Sequence, residues 1–175
     1  MIPMKCLAVA TAMAVGIASL AVRAAVDGDH AGKPGRKPAL ASEKKSSGKT
    51  GDPTTISRTV TIEMNDTTHF NPAKLTIRQG DTVRFVVKNS GKLLHQIVIG
   101  TRQELAEHEA LMTSFPGMVE HADSHMAYVA PGKTEEIVWQ FTKPGQFNYG
   151  CLIPGHFDTG MVGKIIVVAP KSSAK

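Results

Sequence analysis

Asn148–Val168 reads NYGCLIPGHFDTGMVGKIIVV, and within it Cys151, His156 and Met161 stand at i, i+5 and i+10. The stretch is entered through the strand-like run Gln146 to Cys151, after the turn Pro144-Gly145, and left through the apolar run Gly163 to Val168. A loop joining two neighbouring strands can deliver a thiolate, an imidazole and a thioether to one ion. A second imidazole from elsewhere would complete a trigonal set with a weak axial thioether, the ligand set of blue copper. His95 is the best candidate, because it follows the turn at Asn89 to Lys92 and begins the apolar strand QIVIG. A sheet would anchor it while its side chain faces the loops. Taken singly, these residues have plainer uses: Cys151 as a buried thiol, Met161 as core filler, His156 as a surface residue. Their coincidence, with a Pro-Gly turn holding His156, favours a metal.

Working outward, the chain from Ile56 onward keeps a period of two. Val60, Ile62 and Met64 alternate with polar neighbours, followed by Leu75 and Ile77, then Val83, Phe85 and Val87. Such alternation predicts half-buried strands. Gln79-Gly80-Asp81, Asn89-Ser90-Gly91, Pro131-Gly132 and Pro144-Gly145 supply turns between them. Further strands are expected at His95 to Ile99, Lys133 to Phe141, Gln146 to Cys151 and Gly163 to Val168. The fold class that follows is all-β, a Greek-key β-sandwich, with a short helical or loop insert around 102–128. Within that insert, Leu105, Ala106 and Leu111 among charged residues predict a helix from Arg102 to Met112.

The two ends read differently. MIPMKCLAVATAMAVGIASLAVRA has a lysine at position 5, an apolar run and small residues at its close, the layout of a secretory signal peptide over residues 1–25. Cys6 would leave with it, so that Cys151 is the lone cysteine of an exported chain with no internal disulfide. An odd thiol in an oxidising compartment needs something to hold it, and a metal would do so. Residues 26–55 are rich in Gly, Ser, Lys and Pro and poor in large apolar side chains, which predicts a flexible leader. Residues 56–170 then form the domain, and 171–175 a tail. The net charge of +5 dissolves on division along the chain. From Ile56 onward twelve basic residues face eleven acidic ones, so basicity gives no support for a nucleic-acid partner. The Gly48-Lys49-Thr50 triplet lacks the earlier loop glycine and the preceding strand of a phosphate-binding loop.

The ligand loop resembles that of the cupredoxins, and its C-x4-H-x4-M spacing, with IPGH and TGMVGKI, is most similar to the rusticyanins. HFNPAKLTIRQGDTVRFVVKN likewise resembles the cupredoxin amino-terminal sheet, and the likeness runs from about Val60 to Val168. It implies one type 1 copper held by His95, Cys151, His156 and Met161. The segment His108 to Tyr128, HEALMTSFPGMVEHADSHMAY, departs from the plain pattern and is similar to inserts of periplasmic copper-tolerance cupredoxins. Thioethers suit Cu(I) and imidazoles suit either oxidation state, so Met118, His121, His125 and Met126 are candidates for a second, weaker copper site. The alternative is that the methionines of the insert cap the sandwich and its histidines are solvated.

Of three functions, the first is the expected one and the second its alternative. The first is one-electron transfer in the periplasm through Cu(I)/Cu(II), with a redox partner protein. The second is copper tolerance, in which the protein sequesters, oxidises or delivers copper alongside copper-handling proteins. An enzyme is the third and is disfavoured, because multicopper catalysis calls for additional imidazoles, commonly as His-x-His, and the chain has no such pair. No membrane anchor is expected after signal cleavage, and a monomer is the expected state.

Overall fold

The computed structural model describes residues 44–115 and 123–170. In chain order its elements are β1 (Lys44–Lys45), β2 (Gly48–Thr50), β3 (Arg58–Met64), β4 (Phe70–Asn71), β5 (Lys74–Arg78), β6 (Thr82–Asn89), β7 (His95–Gly100), α1 (Arg102–Ser114), β8 (Met126–Val129), β9 (Thr134–Phe141), β10 (Gly145–Gly150) and β11 (Val162–Val168). They form two sheets, ordered β1-β2-β9-β6-β3-β4 and β5-β11-β10-β7-β8. β3 runs parallel to β6 and β5 parallel to β11, while the other pairings are antiparallel. This is the expected all-β sandwich with one short helix.

The alternation read from the sequence becomes the inside and outside of these sheets. Val60, Ile62 and Met64 of β3 and Val83, Phe85 and Val87 of β6 turn inward to join Ile137, Trp139 and Phe141 of β9. Leu75, Ile77, Ile97, Phe147, Tyr149, Ile165 and Val167 of the second sheet complete one buried cluster, which also contains Cys151 and Met161. Burying a side chain of this size contributes about 1.5–3 kcal/mol toward holding the sandwich together. Among the described strands, β7 alone is buried at every residue, and so on both faces. Its second face carries Val98, which packs with Leu105 of α1, Met126 and Leu152 in a smaller apolar cluster.

Helix α1 begins where the sequence places it and runs to Ser114, slightly beyond the expected Met112. Its start is fixed by a capping box: Thr101 Oγ1 accepts from Glu104 N at 3.1 Å, and Glu104 Oε2 accepts from Thr101 N at 2.7 Å. The insert is shorter than expected, because Met126–Val129 is strand β8, which pairs with β7 in the sandwich sheet. The end of the expected leader differs too. Residues 44–55 were expected to be flexible, yet β1 and β2 form a hairpin and β2 pairs with β9 through Gly48↔Phe141 and Thr50↔Trp139. Backbone pairing and one side chain, Ser47, explain the difference. Ser47 is wholly buried and its Oγ accepts from Trp139 Nε1 at 3.2 Å. The hairpin also reaches α1, since Ser46 Oγ donates to Glu104 Oε1 at 2.7 Å.

Candidate metal centre

Cys151 follows the last residue of β10, and the loop to β11 is closed by backbone bonds that leave little freedom. Cys151 N donates to Met161 O at 3.1 Å, Met161 N to His156 O at 3.0 Å, and His156 N to Ile153 O at 2.9 Å. Gly155 and Gly160 lie at φ 84° and 91°, the left-handed region where a side chain is strained. These two glycines bracket His156 and allow a coil this tight. β10 is also hydrogen-bonded to β7, so the loop sits against the end of the strand that His95 begins.

The three nitrogen and sulfur donors therefore converge. Cys151 Sγ lies 3.3 Å from His156 Nδ1 and 3.9 Å from His95 Nδ1, and the two imidazole rings are 5.0 Å apart at 45°. One ligand atom from each of His95, Cys151 and His156 lies within 4.8 Å of the others. Met161 is brought to the same loop with its side chain fully buried, in the cluster that contains Cys151. His95 and Cys151 are also wholly buried, whereas His156 is partly exposed.

The electrostatics are those of a site prepared for a cation. Burial pushes the Cys151 thiol up, against the opposing pull of backbone N–H groups of Gln96 and Ile153. The Gln96 N–H points at Sγ from 3.3 Å, which stabilises a thiolate once the proton has left. Burial and the nearby His95 push the His156 imidazole down, with Asp66 acting in the opposite sense, so its neutral, ligating form is favoured. A buried thiol with two imidazoles turned toward it, and no acidic group among the three, is a soft donor set. It fits copper and does not fit magnesium or calcium, which take oxygen donors.

Two residues that sequence reasoning did not single out complete the surroundings. Gln96 supplies the N–H to sulfur. Asp66, in the turn after β3, lies with Oδ1 3.3 Å from His95 Nε2. Its carboxylate also accepts from Lys92 N at 2.8 Å and Leu93 N at 3.1 Å, and these two bonds, the Lys92 one foremost, hold Asp66 below the usual carboxylate range. Neighbouring Asx and Gly residues in Asn65-Asp66 and Ser90-Gly91 mark turns, but no periodicity links positions 29 residues apart.

The candidates for a second site fare differently. Met118 and His121 lie outside the described residues. His125 and Met126 are both buried, His125 with its ring 6.0 Å from that of Trp139 and Met126 in the cluster with Val98, Leu105 and Leu152. Among the described residues, His95, Cys151 and His156 are the group of His, Cys, Asp or Glu side chains that converges as a metal site.

Comparison with known proteins points the same way. Residues 56–168 match the model of the copper-binding proteins of the plastocyanin/azurin family. A protein of Rubrivivax gelatinosus named copper-resistant cuproprotein CopI is 50% identical over 120 residues, covering 69% of this chain and 72% of that one. A protein of the same name from Pseudomonas aeruginosa is 32% identical over 148 residues, covering 69% of this chain and 81% of its own length. Among solved structures, the auracyanin of Roseiflexus castenholzii shares the fold with a TM-score of 0.55 at 22% identity, over 65% of this chain and 98% of that one. With a sandwich of this topology and a Cys–His–His cluster at the end of β7 and β10, the chain belongs to the plastocyanin/azurin family of copper-binding proteins.

Proposed function

We propose that this protein is an exported copper-resistance cupredoxin, working in the periplasm and holding one copper with His95, Cys151, His156 and Met161. The observation that carries the resistance role is the 50% identity to the Rubrivivax protein named for it. Cys151 would give the thiolate, His95 and His156 the imidazoles, and Met161 a weaker thioether. Copper bound there supplies a one-electron Cu(I)/Cu(II) couple. The chain's own residues do the rest: the sandwich keeps His95 and Cys151 out of water, and the glycine-bracketed coil keeps His156 in place. A scaffold that fixes its donors in advance takes up the ion with little rearrangement. The protein binds and carries copper, or exchanges electrons through it, and is not itself an enzyme; its partners are copper-handling proteins of the same compartment.

A titration of the protein with copper, followed by visible absorption, tests the site. An intense thiolate band saturating at one equivalent, and absent in Cys151→Ser, is expected. Copper bound equally well by that variant would remove the type 1 assignment. The role is tested in cells lacking the gene and challenged with copper: the wild-type gene is expected to restore growth and the Cys151→Ser gene to fail. Equal rescue by both would separate tolerance from this centre.

A second reading, electron transfer to a protein partner, has one feature in its favour. His156 is the partly exposed donor beside two that are sealed, and so offers an edge through which electrons can pass. Exposed Leu93 and Leu94 stand at the same end of the fold, just before His95. A host strain in which copper tolerance is independent of the gene, but respiration under defined conditions is not, would favour this reading.

A further inference from the structure

Asp66 is the acidic side chain that reaches the centre, and it does so from the outside, through His95. Its Oδ1 is 3.3 Å from His95 Nε2, and the same carboxylate accepts the backbone N–H groups of Lys92 and Leu93 in the turn that leads into His95. The turn is shaped around it: a methyl group at Gly91 would overlap the Asp66 carboxylate. Asp66 is held from its own side by an Asx turn, in which Asn65 Oδ1 accepts from Thr67 N at 3.0 Å and from Thr67 Oγ1 at 2.6 Å. Two loops 29 residues apart thus meet on one carboxylate and one imidazole.

A carboxylate can only accept, so this contact requires the His95 proton on Nε2. That leaves the Nδ1 lone pair directed to the side of Cys151, the nitrogen a metal needs. A carboxylate behind a ligating imidazole also raises its basicity and fixes its ring orientation. Its negative charge favours the more highly charged ion of a redox pair. We propose that Asp66 is a positioning residue of the copper centre, which locks the ligating tautomer of His95 and biases the site toward Cu(II), setting its reduction potential lower than a neutral partner would. This rests on the copper reading given above.

Two experiments test it, and the first needs no copper. In the copper-free wild-type protein, nitrogen NMR of His95 is expected to show the proton on Nε2, whereas Asp66→Ala is expected to lose that preference. The second compares Cu(II) and Cu(I) affinities and the reduction potential of wild type and Asp66→Asn. The amide keeps one oxygen, which can stand where Oδ1 accepts from Leu93 and His95, while it removes the charge and gives up the Oδ2 acceptor of Lys92 N. Cu(II) affinity is expected to fall about 10- to 100-fold, with Cu(I) affinity less affected. Each tenfold change in their ratio raises the potential by about 59 mV. A wild-type His95 protonated on Nδ1, or an unchanged Cu(II)-to-Cu(I) ratio in Asp66→Asn, would overturn the proposal. A wild-type protein without the thiolate band would instead sink the copper reading, with the tautomer still deciding whether the clamp exists.

Discussion

Asn89 does inside the sandwich what Asp66 does outside it. The residue is 2% exposed, yet its Nδ2 donates to both Leu93 O and Val129 O at 2.8 Å and its Oδ1 accepts from Gly91 N at 2.8 Å. Two of these bonds fix the short path from β6 to His95 and the third ties it to β8, so one amide helps set where the first imidazole begins. Replacing it with Ala leaves two carbonyls and an N–H without their partner. Asn89→Ala is expected to cost about 1–3 kcal/mol, read by urea unfolding of the copper-free protein, and to weaken copper binding with it. At this scale the sequence was informative where chemistry is local. Cys151, His156 and Met161 share one loop, and His95 announces itself by opening an apolar strand. It was silent on Asp66, since a turn aspartate looks alike whether it faces water or a histidine. The burial of His125 beside Trp139 and of Met126 in an apolar cluster was equally hidden, because composition does not say which side of a sheet a residue takes.

Among the elements, α1 is the addition to the sandwich, and its capping box ties it to two neighbours. Glu104 accepts from Thr101 N through Oε2 and from Ser46 Oγ through Oε1. Burial pushes its carboxyl up, but these bonds from Thr101 and Ser46 outweigh it and leave the group below its ordinary value. A carboxyl lowered in the folded state adds stability above its unfolded value and loses it as pH falls through the folded one. Glu104→Gln is therefore expected to be about 0.3–1 kcal/mol less stable at neutral pH. The gap should close as pH drops below about 4.3, in thermal melts of both proteins across that range. Strands with alternating Val, Ile and Phe were legible because each buries a face. β8 was not: its four residues, Met126–Val129, lie at the end of an insert whose histidines and methionines drew attention to chemistry. Gly48–Thr50 was not either, because a glycine, a lysine and a threonine carry no pattern, and β2 is held by its backbone.

For the molecule as a whole, the question is where the folded unit begins. Ser47 closes over Trp139, a wholly buried indole, and Ser46 reaches the helix, so the hairpin before Gly51 belongs to the domain. Chains lacking residues 1–43 and residues 1–51 differ by the hairpin, and their comparison isolates its contribution. Removing residues 1–51 should lower stability by about 1–3 kcal/mol and shift the Trp139 fluorescence to the red as water gains access. Equal stability of the two would mean that the hairpin is dispensable. The donors, too, have a meaning at this scale. His95 and Cys151 are 56 residues apart in sequence, at the ends of adjacent strands. An ion held between them is a removable cross-link that closes a long loop, restricting the unfolded chain far more than the folded one. Metal supply is then expected to act on the protein's lifetime as well as on its chemistry, with the copper-loaded chain more resistant to limited proteolysis than the copper-free one.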